Sequence, residues 1–402
     1  MLTAARIGNL LKGKLNLHKS SLRCLTTEAV PLTFPKPEES PVNCFNEWDP
    51  LEEVIVGRPD GAKYPKMRPE VKATLQPEWY EHMYEHENQP YPAETIEGAE
   101  KEVAHLVHIL EQEGVKVRRG DLAVQWSEVE GYKTPDFTES GFTQACPRDS
   151  VIIFGNEIIE STMSWRSRYF ESRPYKNLLI EYFKNGAKWT VAPKPTMSDR
   201  LYDENYPMEN IELRKDLNRK GKFILTEAEP VFDAADIIRC GKDAFIQISH
   251  VTNWSGYEWL KRHLEPNFNL HWFITDDPYS WHSDGTFLPL KPGLVLKHGD
   301  KSTTVQPFFE KAGWKIISAP PPKWDPSSRF YKTGWLQINV NILMLDEKRA
   351  IVPAGSQELV KLLEENGIKS IPVVFDHAME LFGMFHCWTV DVRRRGKMQS
   401  YF

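Results

Sequence analysis

The run Asn185-Gly186-Ala187-Lys188-Trp189-Thr190-Val191 is a helix stop followed at once by a strand. Glycine accepts the left-handed backbone that ends a helix, asparagine is its usual substitute, and the β-rich residues behind it suit an extended chain. The same order recurs at Glu113-Gly114-Val115-Lys116-Val117, Ala312-Gly313-Trp314-Lys315-Ile316-Ile317 and Asn366-Gly367-Ile368-Lys369, with a glycine-free version at Pro266-Asn267-Phe268-Asn269-Leu270. Each of these five helical stretches follows a strand or hairpin. They are Val54 to Gly57, Val151 to Glu160 turning at Gly155-Asn156, Ile237 to Ile246 turning at Gly241-Lys242, Phe287 to Leu296 turning at Pro292-Gly293, and Ile342 to Val352 turning at Asp346-Glu347. The chain therefore reads as α/β, built from five ββαβ units.

A unit of this size cannot cover its own apolar faces, so the expected arrangement is a radial array closed on itself; the alternative is an open mixed sheet. Asp149, Asp233, His282 with Asp284, Thr333 with Gly334, and Cys387 all fall between one unit's last strand and the start of the next hairpin. Radial symmetry brings them to one end of the axis.

Cys387 stands in Phe385-His386-Cys387-Trp388-Thr389, with Phe232-Asp233-Ala234-Ala235-Asp236 and His282-Ser283-Asp284 upstream. A thiolate that attacks, a histidine that moves protons and carboxylates that hold charge suit covalent catalysis at a cationic carbon. Each residue also has a plainer reading. Free cysteine is often core, aspartates cap and turn, a histidine can sit satisfied in the interior, and Arg393 to Arg395 can be a solvated charge run or ion-pair partners. The joint occurrence points to an enzyme.

With 402 residues, 41% of them apolar, the chain can bury a large core. A net charge of -6 lacks the basic footprint of a nucleic-acid protein and favours a small polar ligand. The five cysteines are scattered, with no CxxC pair and no zinc-like spacing, which implies a reduced compartment and no structural metal. No stretch approaches the roughly 18 uninterrupted apolar residues of a membrane span. Before Glu28 the chain carries Arg6, Lys12, Lys14, Lys19 and Arg23 with no acid, and Ile7, Leu10, Leu11 and Leu15 at helical spacing. That is the composition of a mitochondrial transit peptide, the alternative being a disordered basic tail. Residues 1–36 are read as leader and linker, and 37–402 as a single catalytic domain.

Longer motifs add a resemblance. Asn46-Glu47-Trp48-Asp49-Pro50-Leu51-Glu52-Glu53-Val54-Ile55-Val56-Gly57, Thr134-Pro135-Asp136-Phe137, Pro147-Arg148-Asp149, Gly155 to Glu160, Trp165-Arg166-Ser167-Arg168, Phe232 to Asp236, Phe385 to Thr389 and Asp391-Val392-Arg393-Arg394-Arg395-Gly396 stand in one order. From about Pro41 to Tyr401 the chain resembles the glycine amidinotransferases of the guanidino-group-modifying (pentein) superfamily. The resemblance implies a five-bladed ββαβ propeller with five-fold pseudosymmetry. It makes Cys387 the nucleophile, His282 the general acid/base, Asp233 its orienting partner, and Asp149 and Asp284 the guanidinium ligands. It implies L-arginine as donor, an amidino-cysteine intermediate, glycine as acceptor and guanidinoacetate, the creatine precursor, as product. No cofactor or metal is implied, nor any nucleic acid. A homodimer, only peripheral contact with the inner membrane, and a place in the mitochondrial matrix or intermembrane space are further implications.

The departures surround the substrate. Lys301 stands where the family carries an arginine for the donor carboxylate, replacing a bidentate fork by a point charge. Thr333-Gly334 replaces paired serines, Pro278-Tyr279-Ser280-Trp281 is bulkier than the family's loop, and Phe382-Gly383-Met384 replaces a glycine run. These changes leave open an amidinotransferase with another acceptor amine, a hydrolase that uses water, and a catalytically silent propeller.

Overall fold

Gly114, Gly186, Gly313 and Gly367 adopt φ of 83°, 103°, 80° and 74°, so the helix stops fall where the sequence puts them. A side chain would strain each of these positions. The computed structural model describes residues 40–122, 132–321 and 338–402; the leader and Thr333-Gly334 lie outside the described residues.

β1 (Leu51–Val56) is followed by two short helices, α1 (Pro69–Thr74) and α2 (Tyr80–His86), then by the long α3 (Ala93–Gln112) and β2 (Lys116–Arg119). A ribbon of β3 (Tyr132–Lys133) and β4 (Thr138–Glu139) leads to a single helical turn, α4 (Pro147–Ser150). The second unit is β5 (Val151–Phe154), β6 (Glu157–Glu160), α5 (Lys176–Lys184) and β7 (Lys188–Val191). After α6 (Ile211–Arg219) the third comprises β8 (Ile237–Cys240), β9 (Asp243–Gln247), α7 (Trp254–Leu264) and β10 (Asn269–Phe273). The fourth is β11 (Phe287–Lys291), β12 (Leu294–His298), α8 (Gln306–Lys311) and β13 (Lys315–Ala319). The fifth is β14 (Leu343–Asp346), β15 (Arg349–Pro353), α9 (Gln357–Glu365) and β16 (Lys369–Val373). A last turn, α10 (Asp376–Met379), precedes β17 (Thr389–Arg394).

In units two to five the first two strands are antiparallel, and the third returns through the helix to lie parallel to the second. Parallel neighbours need such a crossover. The first unit has one strand before its helix and takes the missing one from the far end of the chain: β17 pairs antiparallel with β1, Val54 opposite Asp391 and Val56 opposite Thr389. The charge run at Arg393 to Arg395 is therefore mostly strand. Arg394 is 1% exposed and bonds Asp391 at 3.0 Å, Arg393 bonds Glu52 at 2.9 Å, and Arg395 remains exposed. The last hairpin turns at Glu347-Lys348, one residue later than expected, because Asp346 still pairs with Arg349.

Neighbouring sheets share hydrophobic clusters in cyclic order. Ile55, Val390 and Val392 meet Val151, Ile153 and Ile158. Ile152, Phe154 and Ile159 join Ile237, Ala244 and Ile246, and Ile238 and Phe245 join Phe287 and Val295. Leu288 and Leu296 share a cluster with Met344 and Val352, and Leu343, Leu345 and Ile351 return to Leu51, Val54 and Val56. Successive residues of β5 serve opposite seams, which is why this strand reads as continuously apolar rather than alternating. Among the described residues each sheet stays open and none closes on itself.

A turn leads into each hairpin: α4 before β5, and 3-10 turns at Ala234–Asp236, Ser283–Gly285 and Ile338–Val340 before β8, β11 and β14. Asp149 sits within the first, Asp233 and His282 cap the next two, and Asn341 follows the fourth. Cys387 occupies the corresponding place before β17.

Candidate active site

These lead-in turns bring their polar side chains together. One donor atom each from Asp149, His282 and Cys387 lies within 4.8 Å of the others. His282 Nε2 is 3.1 Å from Asp233 Oδ2, and its Nδ1 is 3.7 Å from Asp149 Oδ1. Asp233 is itself fixed, its Oδ1 accepting the Ser164 amide at 2.9 Å. The Cys387 thiol donates to Asp284 Oδ2 at 3.3 Å, while Asn341 Nδ2 donates to the sulfur at 3.0 Å. Asn341 Oδ1 accepts the backbone amides of His386 and Cys387 at 3.1 and 3.2 Å, so one side chain holds the turn and the thiol together. His282 adopts φ 50° and ψ 130°, a backbone costing about 1–3 kcal/mol for a residue with a Cβ, which the surrounding contacts sustain.

The site's charges are set by burial and by one another. Burial alone would lower His282, but Asp149 and Asp233 raise it from 6.5 to about 9, so the ring is protonated at neutral pH. Burial pushes the Cys387 thiol well above its ordinary range, with Asp284 and Asp149 adding to the effect and the Asn341 hydrogen bond opposing it. Burial also raises Asp149, and His282 and Arg168 offset only part of that. Burial acts the same way on Asp284, yet the hydrogen bond from His386 brings it below its ordinary value. Arg168 Nη2 bonds Asp149 Oδ2 at 2.7 Å, but the buried Oδ1 has no hydrogen-bond partner among the described residues. A buried acceptor left open in this way has a strong claim on a donor from a ligand.

Outside this centre a cleft is lined by Trp79, Asp277, Tyr279, Trp281, Lys301 and Phe382, and its inner wall carries His282, Asp284, Asn341, Gly383 and Cys387. Lys301 lies in the cleft, its ammonium 2.7 Å from Asp277 Oδ2. Trp281 stacks on Trp165, ring centroids 5.0 Å apart, and tilts against Phe382 at 5.9 Å. The glycine kept in Phe382-Gly383-Met384 has a steric reason. A Cβ there would lie 2.6 Å from Cys387 Cβ and 2.9 Å from Cys146 Sγ.

Three residues of this centre carry no role in the sequence reading: Asn341, Arg168 and His386. Arg168 stands inside the quoted Trp165-Arg166-Ser167-Arg168 motif. Asn341 was findable from the repeat itself, since it fills the place before β14 that Asp149 fills before β5. His386 precedes the cysteine and gives no local signal, because its partners Asp284 and Glu47 lie 102 and 339 residues away.

No family model matches the chain, but individual relatives do. It is 46% identical over 408 aligned residues to a mitochondrial glycine amidinotransferase of Danio rerio, the match covering 100% of this chain and 96% of that one. It is 40% identical to an L-arginine:L-lysine amidinotransferase of Pseudomonas savastanoi pv. phaseolicola, over 90% of this chain and 97% of the relative. Among solved structures, an amidinotransferase of the saxitoxin biosynthetic pathway from Microseira wollei matches with a TM-score of 0.79 and 42% identity, covering 90% of this chain and all of the other. Fold and relatives together define an amidinotransferase, an enzyme of the transferase class. The chain belongs to the glycine amidinotransferase family.

Proposed function

We propose that this enzyme moves the amidino group of L-arginine through a covalent amidino-cysteine on Cys387 to glycine, giving ornithine and guanidinoacetate. The observation that carries the reading is the meeting of Cys387, His282 and Asp149 within 4.8 Å, at the base of a cleft that Asp284 also lines. The vertebrate relatives, named glycine amidinotransferases, support glycine as acceptor.

The guanidinium enters between Asp149 and Asp284, whose carboxylates take its N–H groups and localise its charge. Its positive charge offsets the carboxylates that hold the thiol protonated, so the thiol loses its proton to solvent as the donor binds. The sulfur attacks the guanidinium carbon. His282, protonated at rest, gives its proton to the departing nitrogen, and ornithine leaves an amidino group on sulfur. The neutral ring then takes a proton from the acceptor ammonium. The freed amine attacks the amidino carbon and sheds its second proton to solvent, the C–S bond breaks to return the thiolate, and the thiolate takes up a proton again as the guanidinium product leaves. Asp233 holds the ring in place through both halves. Lys301, held in the cleft by Asp277, takes the donor carboxylate as a point charge.

The five sheets are arranged as a five-bladed ββαβ propeller. Support comes from the cyclic order of their shared clusters and from the pairing of β17 with β1. Residues 1–36 serve as a mitochondrial leader and linker to a single domain, 37–402, which acts as a homodimer in the matrix or intermembrane space. The names of the relatives support the compartment.

Supplying arginine with each of a panel of amines and identifying the products tests the function. Ornithine with guanidinoacetate is expected. Citrulline formed without an amine would replace transfer by hydrolysis. A second acceptor reading rests on the bulky wall of Tyr279, Trp281 and Phe382, and on the relative named for lysine. Faster transfer to lysine than to glycine would establish it.

A further inference from the structure

His386 stands between two carboxylates. Its Nδ1 lies 2.8 Å from Asp284 Oδ2, the same oxygen that accepts the Cys387 thiol, and its Nε2 lies 3.2 Å from Glu47 Oε2. The ring is 5% exposed, and Asp284 and Glu47 are 2% and 3% exposed, so bulk solvent has little access to the three groups. Glu47 is an ionised acceptor: Arg239 donates to both of its oxygens at 2.8 and 2.9 Å, and Arg148 stands 3.5 Å away. An imidazole facing an ionised carboxylate on each side satisfies both only by donating from both nitrogens.

We propose that His386 is a positioning residue that, as a two-fold donor between Glu47 and Asp284, fixes the Asp284 carboxylate beside the Cys387 sulfur and so sets the cleft's grip on the guanidinium. The proposal rests on the reading of Asp284 as a guanidinium ligand. Its chemistry is specific. An oxygen shared between the imidazolium and the thiol cannot rotate away when the thiol proton leaves, and the carboxylate remains charged for the incoming cation. The other groups facing Asp284 are His282 from the same turn, Arg148 and Asp149 from α4, and Cys146 and Cys387. Of these, Cys387 alone hydrogen-bonds its Oδ2 besides His386. The bond from His386 is also the largest influence opposing the effect of burial on Asp284.

His386→Asn keeps a donor toward Asp284 and removes the cation, and His386→Leu removes both. In His386→Asn, KM for arginine is expected to rise about tenfold or more with a smaller change in kcat, as loss of a charged hydrogen bond predicts. The acid limb of kcat/KM should move to higher pH, because Asp284 then ionises less readily. A purely structural role would lower the active fraction and thermal stability without moving that limb. Unchanged KM and an unmoved limb in folded His386→Asn would overturn the proposal. If Asp284→Asn also leaves KM unchanged, the ligand reading fails; if Asp284→Asn raises KM and His386→Asn does not, only the positioning role fails. Should both His386 variants misfold, neutron diffraction from wild-type crystals decides the point. Deuterons on both ring nitrogens are expected, and a singly deuterated ring would overturn the proposal.

Discussion

His282 is held by two carboxylates from different turns, and its proton is bound more tightly in the folded chain than in the unfolded one. The resulting stabilisation is complete below about 6.5, where the unfolded ring is also protonated, and it is lost as pH rises through about 9. Urea midpoints of the wild type should therefore fall between pH 6.5 and 9, and less steeply in His282→Gln; equal slopes would contradict the assigned environment. Asp149 offers a second test at this scale. One of its oxygens is bonded to Arg168 and the other is open, so Asp149→Asn should raise KM for arginine about 10- to 100-fold, the range for a hydrogen bond to a charged group. An unchanged KM would remove Asp149 from the donor pocket.

Between residues and fold stand the helix stops, and they were the most legible elements of the chain. Glycine after a helix is a local signal, and Gly114, Gly186, Gly313 and Gly367 all take the left-handed backbone it announces. The repeat put Asp149, Asp233 and His282 between one unit and the next hairpin, where the structure has them. Asn341 escaped notice because asparagine has many uses, and only its place before β14 singles it out. The segment before Cys387 is tighter than its sequence suggests. Gly383→Ala sets a methyl group 2.6 Å from Cys387 Cβ, and such overpacking costs about 1–3 kcal/mol. It should reduce turnover through displacement of the sulfur, measured as slower alkylation of Cys387 together with lower kcat. Wild-type alkylation and kcat would show that the backbone yields without moving the thiol.

Across the whole molecule, the pairing of β17 with β1 joins the two ends of the described chain, and no local pattern announced it. Strand pairing between residues more than 300 positions apart leaves no periodicity to read, so the sequence left the arginines of β17 as either a solvated charge run or ion-pair partners. Arg394 belongs to a buried network, while Arg393 pairs with Glu52 nearer the surface. Asp391 accepts from Arg148 at 2.7 Å, from Arg239 at 3.0 Å and from Arg394 at 3.0 Å, joining α4, β8 and β17. Removing one partner of such a set strands the rest, so Asp391→Asn should cost about 3–5 kcal/mol in urea unfolding. A loss below about 1 kcal/mol would mean that the network carries little of the fold's stability.

Covalent catalysis at Cys387 is read out by intact-protein mass spectrometry after mixing with arginine and no acceptor. A gain of about 42 Da, one amidino group on the nucleophile, is predicted; it should be absent in Cys387→Ala and discharged by glycine as guanidinoacetate. Steady ornithine production with glycine present, no mass gain on rapid quenching and undiminished activity in Cys387→Ala would rule out the covalent step.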